Sequence, residues 1–372
     1  MSLSATKLQN WRIKSTNMDK NMFRPSQYGA LDLFVTETMR GGGIISRELK
    51  AKAEASIGNT IQIPVIDYDG NVVVSNVRTC IIQDDENTSA LMPVTFATYQ
   101  VGFTMTPALY GNNEITYEED FARKIEKVSR ALANALDVAA IAALEANKTQ
   151  VFAELLYYTE SGDSVQVGWD FRNDFFGDLN TIMAANDYNG QLHIVGNYGV
   201  KAIVEKMKEH GLYNDVNKQF EYGDKVFHFT KNLSNGVGKF GTFYAVEEGN
   251  VGMLTRFDSA AFRNAKSGQH EWGKTTLPYF GMPVGYHYYE AVGDQSGIAG
   301  EASAHITCDI KEYWGFSIDV AFLVAYNSDP ETIANPIVKG EIGVSAATNP
   351  MAMPVVVTNS EDDPVATKEV SE

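Results

Sequence analysis

Cysteine is nearly absent from this sequence: Cys80 and Cys308 are its only thiols in 372 residues. Two cysteines so far apart exclude a disulfide framework and fit a reducing, cytoplasmic compartment. Each reads as a small core residue. No run of about 18 apolar residues occurs, which excludes a helical membrane span. The opening residues, MSLSATKLQNWRIK, carry no apolar signal core. Histidine is sparse, and His193, His210, His228, His270, His287 and His305 show no metal-ligand spacing. His270-Glu271 lacks the second histidine of a zinc-protease helix, and no nucleophile elbow of the Gly-x-Ser-x-Gly type is present. Gly41-Gly42-Gly43 is not followed by the Gly-Lys-Ser/Thr of a phosphate loop. We therefore expect no metal, no cofactor and no enzymatic activity, although triads assemble from distant positions and leave no local motif.

Basic charge is scarce as well. Lys and Arg number 30 against 47 Asp and Glu, for a net charge of −17. A free nucleic-acid binder carries a basic footprint, so this balance argues against strong direct DNA binding. It does not argue against a shell around DNA, whose inner wall is better mildly repulsive. Lysine is missing altogether between Lys52 and Lys124, where Arg78 is the only basic residue.

What the chain does have is a 44% hydrophobic composition with 18 Tyr and 19 Phe. That suffices for a sizeable core and two or three domains, with aromatics to spare for interfaces. Residues 113–148 predict one helix of about nine turns, roughly 50 Å long. Thr116 and Glu119 have the spacing of a capping box. Phe121, Ile125, Val128, Leu132, Leu136 and Ala139 form an apolar stripe. Glu119/Arg123, Asp120/Lys124 and Glu126/Arg130 are i,i+4 pairs with the acid first, the favourable order. From Ala131 onward the helix is rich in alanine, so another backbone can approach closely.

Before this helix the pattern is β. Residues 60–66 alternate, 72–80 are rich in β-branched residues, and Asp67-Tyr68-Asp69-Gly70-Asn71 between them is a good hairpin turn. Asp84, Asp85 and Glu86 form an exposed acidic loop, and 94–109 is again strongly β. An extended hairpin cannot bury both faces within its own chain and needs a partner surface. Residues 28–39 predict a short helix in an otherwise aperiodic arm, able to dock on a neighbour. After the long helix, helices at 173–186 and 198–210 alternate with strands at 191–196, 226–230 and 242–246, a compact α/β lobe. Residues 253–277 show no clear pattern. Residues 278–291 and 303–326 read as long strands, of which 318–326 is the most apolar part of the chain. Residues 349–372 form an acidic, aperiodic tail.

This order of elements resembles the major capsid proteins of tailed bacteriophages, with the Hong Kong 97 capsid fold, over about residues 20–345. Phrases such as Gly58-Asn59-Thr60-Ile61-Gln62-Ile63-Pro64 and Ala133-Asn134-Ala135-Leu136-Asp137 contribute to the resemblance. It implies an α+β fold with an N-terminal arm at 1–45 and an extended β loop at 46–97. A peripheral domain then spans 98–170 and 276–345, with its spine helix at 115–148. An axial domain is inserted at 171–275, and a tail occupies 346–372. The implied function is a structural subunit that self-assembles through pentamers and hexamers into an icosahedral head around double-stranded DNA. Such a head forms in the host cytoplasm, with portal and decoration proteins as partners. No long N-terminal helical extension precedes the arm, which implies a separate scaffolding protein or a processed chain. Some shells of this fold cross-link through a lysine in the extended loop; the lysine-free interval here implies a non-covalent shell. Asp84, Asp85 and Glu86 are expected to face Arg123, Lys124, Lys127 and Arg130 of an adjacent subunit. Two alternatives are an encapsulin-like nanocompartment shell and a cytoplasmic α+β enzyme with an unrecognised site.

Overall fold

A computed structural model describes residues 28–40, 43–56, 58–66, 89–111, 116–207, 212–214, 219–222, 225–277, 282–292, 310–327 and 329–344. Its first helix, α1 (Gly29–Arg40), does not behave as an arm for a neighbour. Ala30, Leu31, Leu33 and Phe34 are buried in the main core of their own chain. Each large side chain so buried contributes about 1.5–3 kcal/mol, which ties the helix to its own subunit. Approach is close enough to require glycine at the start: a Cβ on Gly29 would stand 2.6 Å from the Phe229 nitrogen.

Helix α2 (Arg47–Ala55) is capped by Ser46, whose hydroxyl accepts the Leu49 N–H at 3.1 Å. Strands β1 (Thr60–Ile66) and β2 (Ser89–Thr95) then pair antiparallel through seven registers, from Thr60↔Thr95 to Ile66↔Ser89. The turn at 67–71, the segment 72–80 and the acidic loop expected beyond them lie outside the described residues. Strand β3 (Ala97–Met105) follows, then a 3-10 turn at Pro107–Tyr110.

Helix α3 (Tyr117–Ala146) has 30 residues, about 45 Å of rise. Both halves of its capping box form: Glu119 N–H donates to Thr116 Oγ1, and Thr116 N–H donates to Glu119 Oε2 at 3.2 Å. Glu119 is thereby drawn back toward the cap rather than forward to Arg123. Asp120–Lys124 and Glu126–Arg130 do pair, at 3.0 and 2.5 Å. Phe121, Ile125, Val128, Leu132 and Leu136 are buried as the stripe predicts, but at the next turn Ala140, not Ala139, is the fully buried residue. The backbone that the alanine-rich half admits includes α1.

The chain continues through β4 (Thr159–Glu160), β5 (Val165–Val167), α4 (Phe175–Ala185), β6 (Leu192–Gly196) and α5 (Tyr198–Met207). Then come β7 (Leu212–Asn214), β8 (Gln219–Tyr222), β9 (Lys225–Phe229), β10 (Lys239–Glu247) and β11 (Val251–Arg256). The remainder is α6 (Ser259–Phe262), β12 (Lys266–Ser267), β13 (His270–Thr276), β14 (Pro283–Val292), β15 (Ile310–Val324) and β16 (Ile337–Gly343).

Two large sheets result. One has eight strands in the order β4-β5-β16-β10-β6-β9-β8-β7, and its apolar core with α4 and α5 includes Phe175, Phe176, Ile194, Val204, Phe227 and Phe243. The other has six strands in a path β11-β15-β14-β13-β12, with β3 also on β15. Asp319 and Val320 pair with β3 and with β11, so these lie on opposite sides of β15. Strand β15 is therefore central, as its apolar run 318–326 predicts, with β3 along one side and β14 and β11 along the other. Phe103, Phe121 and Trp314 join this sheet to α3, Phe121 meeting Trp314 edge-on at 5.1 Å.

Strand membership departs from the boundaries drawn on the sequence. Strands β11 to β13, within the 171–275 span, belong to the six-stranded sheet with β14 and β15. Strands β4, β5 and β16, outside that span, belong to the eight-stranded sheet. The chain enters the six-stranded sheet with β11, a strand buried in both directions, so alternation gives no sign of that crossing: Val251, Met253 and Leu254 are all buried.

Candidate functional site

The β1–β2 hairpin is covered on its own chain only at its root. Ile61, Val94 and Phe96 at its root are buried with Ile45, Ala53, Leu254, Ala321 and Leu323. Further out, Ile63 and Met92 are only partly buried, Gln62, Pro64 and Pro93 are exposed, and Leu91 is 66% exposed. Cover is one-sided: the Ile61/Val94 and Ile63/Met92 pairs face the chain's own core, while Thr60/Thr95, Gln62/Pro93 and Pro64/Leu91 on the other face are exposed from the root outward, and the ladder stays in register.

Arg256, at the end of β11, clamps that root. Its Nε donates to Asp319 Oδ2 at 3.0 Å, its Nη1 to Ser56 Oγ at 2.9 Å and to the Gly58 carbonyl, and its Nη2 to Asn59 Oδ1 at 2.9 Å. The guanidinium also lies 4.5 Å over the Phe96 ring. Only arginine offers donors in this planar fork. An open cavity of about 610 Å³ lies beside the clamp, with Glu54, Asp258, Trp272 and His287 in its wall. We expect Arg256→Ala to cost about 2 kcal/mol, as a lost charge-assisted hydrogen-bond set does. Urea unfolding measures the loss, and limited proteolysis should show earlier cutting near residues 56–60. An Arg256→Lys variant that matches the wild type in both would refute the fork argument.

The four basic residues of α3 do not present one uniform face. Lys124 is engaged by Asp120 and donates to the Thr104 carbonyl at 2.9 Å, and Arg130 is engaged by Glu126. Arg123 and Lys127 are exposed and make no ion pair among the described residues. Asp84, Asp85 and Glu86 lie outside the described residues, as do Cys80, Cys308, His210 and His305.

Sequence reasoning missed three sets of buried polar groups that hold the parts together. Asp137 of α3 accepts the Leu31 N–H at 3.1 Å, the Thr230 hydroxyl at 2.5 Å and the Asn232 amide at 2.8 Å. It thereby caps α1 from another helix and pins the segment after β9. Burial pushes its carboxyl up, against the pull of these hydrogen bonds. At the far end of α3, Glu145 receives Tyr244 Oη, Lys148 and Lys339. Burial opposes its charge, but hydrogen bonds from these partners hold its carboxyl down to about 2. The third set runs from Asp32 through His228 and His193 to Glu37, joining α1 to β9 and β6. A signal was present in each case: an acid or histidine on an otherwise apolar face of a helix or strand.

Among the described residues no group of three or more His, Cys, Asp or Glu is placed to hold a metal ion, and no helix is long and apolar enough to cross a membrane.

No protein-family model matches the chain, and no curated protein matches it. Solved structures do. The chain is similar to one from Mycobacterium phage Bobi, at 11% identity and a TM-score of 0.45, covering 80% of this chain and 90% of that one. It is similar to a chain of the cyanophage Pam1 capsid asymmetric unit, at 12% identity and a TM-score of 0.44, covering 79% and 87%. It is similar also to a chain of the mature capsid of bacteriophage PhiM1, at 10% identity and a TM-score of 0.43, covering 77% and 82%.

Proposed function

We propose that this chain is the major capsid subunit of a tailed phage or prophage, assembling through pentamers and hexamers into an icosahedral head around double-stranded DNA. One observation carries the reading: a regular hairpin, β1–β2, clamped at its root by Arg256, with one face exposed from Thr60 and Thr95 to Pro64 and Leu91. A two-stranded ribbon is marginal by itself in water and gains its stability from a surface it lies on. In this reading that surface belongs to an adjacent subunit, α3 is the spine of the peripheral domain, and the eight-stranded sheet is the core of the axial domain. Capsid chains are also among the similar solved structures, and the reading agrees with them. Size-exclusion chromatography and negative-stain microscopy of the expressed chain test it. Shells, hexamers or pentamers are expected; a monomer at all concentrations would refute it.

Of the basic residues on α3, Arg123 and Lys127 are the ones left to meet Asp84, Asp85 and Glu86 of a neighbour, since Lys124 and Arg130 have acids on their own helix. A single exposed pair contributes about 0–1 kcal/mol, but a shell repeats every contact around its axes. Reversing the charge at Asp84 and Asp85 should reduce assembly yield while leaving the subunit melting temperature unchanged. Restoration of yield by Arg123→Glu with Lys127→Glu would identify the partners. Equal losses of yield and melting temperature would place the acidic loop against its own subunit instead.

A further inference from the structure

An apolar face stands open at one end of the eight-stranded sheet. Leu156, Tyr157 and Phe171 are 41%, 57% and 46% exposed. They form one group, with the Tyr157 and Phe171 ring centroids 5.1 Å apart. Through Tyr158 the group continues inward to the buried Phe175, at 4.8 Å. The face is also held in shape. Glu154 accepts the Leu156 N–H at 2.7 Å, at a residue whose φ of 54° a bulky side chain rarely adopts. Asp178 accepts both tyrosine hydroxyls, that of Tyr158 at 2.9 Å. Clustered exposed apolar groups on a fixed frame point to an interaction surface.

The strand registers place the start of the C-terminal tail beside this face. Strand β5 lies between β4 and β16. Thr159 pairs with Gln166 in the antiparallel β4–β5 ladder, so Tyr158 falls opposite Val167. Ile342 of β16 pairs with Val167 from the other side, in parallel. Tyr158 and Ile342 are thus two strand spacings apart, about 10 Å. A Cβ on Gly343 would lie 3.6 Å from the Val167 oxygen, and one on Gly168 would lie 3.5 Å from the Phe171 ring. The tail leaves after Val344, at the end of the sheet where the open face lies. Residues 345–349 reach up to about 17 Å when extended, enough to bring Met351 onto it.

We propose that residues 351–357 of the tail lie in extended form across the Leu156–Tyr157–Phe171 face of their own subunit. The inference concerns the single subunit and does not depend on the shell reading. The sequence of the tail suits the face. Residues 345–360 carry no charge, and acids begin only at Glu361. Alternate side chains of an extended chain share one side, which groups Met351, Met353, Val355 and Val357. Pro350 and Pro354 disfavour a helix and push Asn349 and Met353 toward extended backbone, which three successive valines also favour. Methionine sulfur packs well against aromatic rings. Charge selects this part of the tail over the next. Glu154, Asp174 and Asp178 act on the face and repel Glu361, Asp362 and Asp363, but not the neutral stretch. The N-terminal segment starts farther away, since Tyr28 is bridged to Thr230 just after β9, three strands beyond β16.

Photocross-linking in the full chain tests the contact. Benzoylphenylalanine in place of Phe171 keeps an aromatic ring on the face. Irradiation of an equal mixture of isotopically light and heavy chains should join position 171 to residues 351–357 within chains of one label. Cross-links to residues before Tyr28, light–heavy pairs, or no cross-link to the tail would overturn the proposal. Hydrogen exchange reads the same contact without the photoprobe. The amides of Val355, Val356 and Val357 should exchange roughly tenfold more slowly than in an unstructured chain. Val355→Asp with Val357→Asp alters only the tail and should abolish that protection while the circular dichroism of the chain stays unchanged. Wild-type tail amides that exchange at the unstructured rate, or protection that survives the double substitution, would also overturn it.

Discussion

A chain from which residues 58–94 are excised is expected to fold and to form no shells. The excision is geometrically mild. Phe96 N–H donates to the Asn59 carbonyl at 2.8 Å, so the two ends of the removed segment already lie together. Neither large sheet runs through the hairpin. Arg256 keeps Asp319 and Ser56 while losing Gly58 and Asn59. Ile61 and Val94 leave the small root cluster, so some loss of melting temperature is expected. Assembly should respond far more strongly. In a closed shell the same interface recurs around every axis, and removing it from one subunit removes it from all. Circular dichroism and analytical ultracentrifugation separate the two effects. Normal shells from the shortened chain would show that the hairpin is not the intersubunit element.

Asp137→Ala is expected to be the most damaging single substitution in the subunit. The residue is 0% exposed, and its loss strands the Leu31 N–H and the Thr230 hydroxyl in a dry interior and releases the half-buried Asn232 amide. Unsatisfied buried donors cost about 1–3 kcal/mol each, so a total of roughly 3–5 kcal/mol is expected after relaxation. Asp137→Asn keeps one acceptor oxygen and should recover part of that. Thermal unfolding orders the three chains; an Asp137→Ala chain as stable as the wild type would mean that α1 is held by apolar contact alone.

How much of this was legible in the sequence follows from the range of the interactions involved. Helix α3 was readable in detail, cap and stripe included, because capping and 3.6-residue periodicity are written within a few residues of each other. Strand β1 was readable from the alternation at 60–66, but its observed partner was not: the sequence suggested 72–80 across a turn at 67–71, whereas 89–95 pairs with β1. Nor was the docking of α1. Its apolar face looks the same whether the acceptor is a neighbour or its own chain; what decides is Asp137, a hundred residues on, and the close approach at Gly29. The sheet membership of β11 was hidden for a related reason, since a strand buried on both faces carries no alternation. The chain of Asp32, His228, His193 and Glu37 joins α1, β9 and β6, elements far apart in the sequence, and has no spacing to find. Its histidines show no metal-ligand spacing in the sequence, and His193 and His228 are buried at 2% and 3% exposure.

The most direct measurement is a cryo-electron-microscopy reconstruction of the particle formed by the expressed chain. The account predicts a closed icosahedral shell in which the β1–β2 hairpin of each subunit lies on a neighbouring copy, with Leu91 covered there and Arg256 still holding the root. A chain that forms no particle, or a shell in which the outer hairpin faces solvent or folds back on its own subunit, would contradict it.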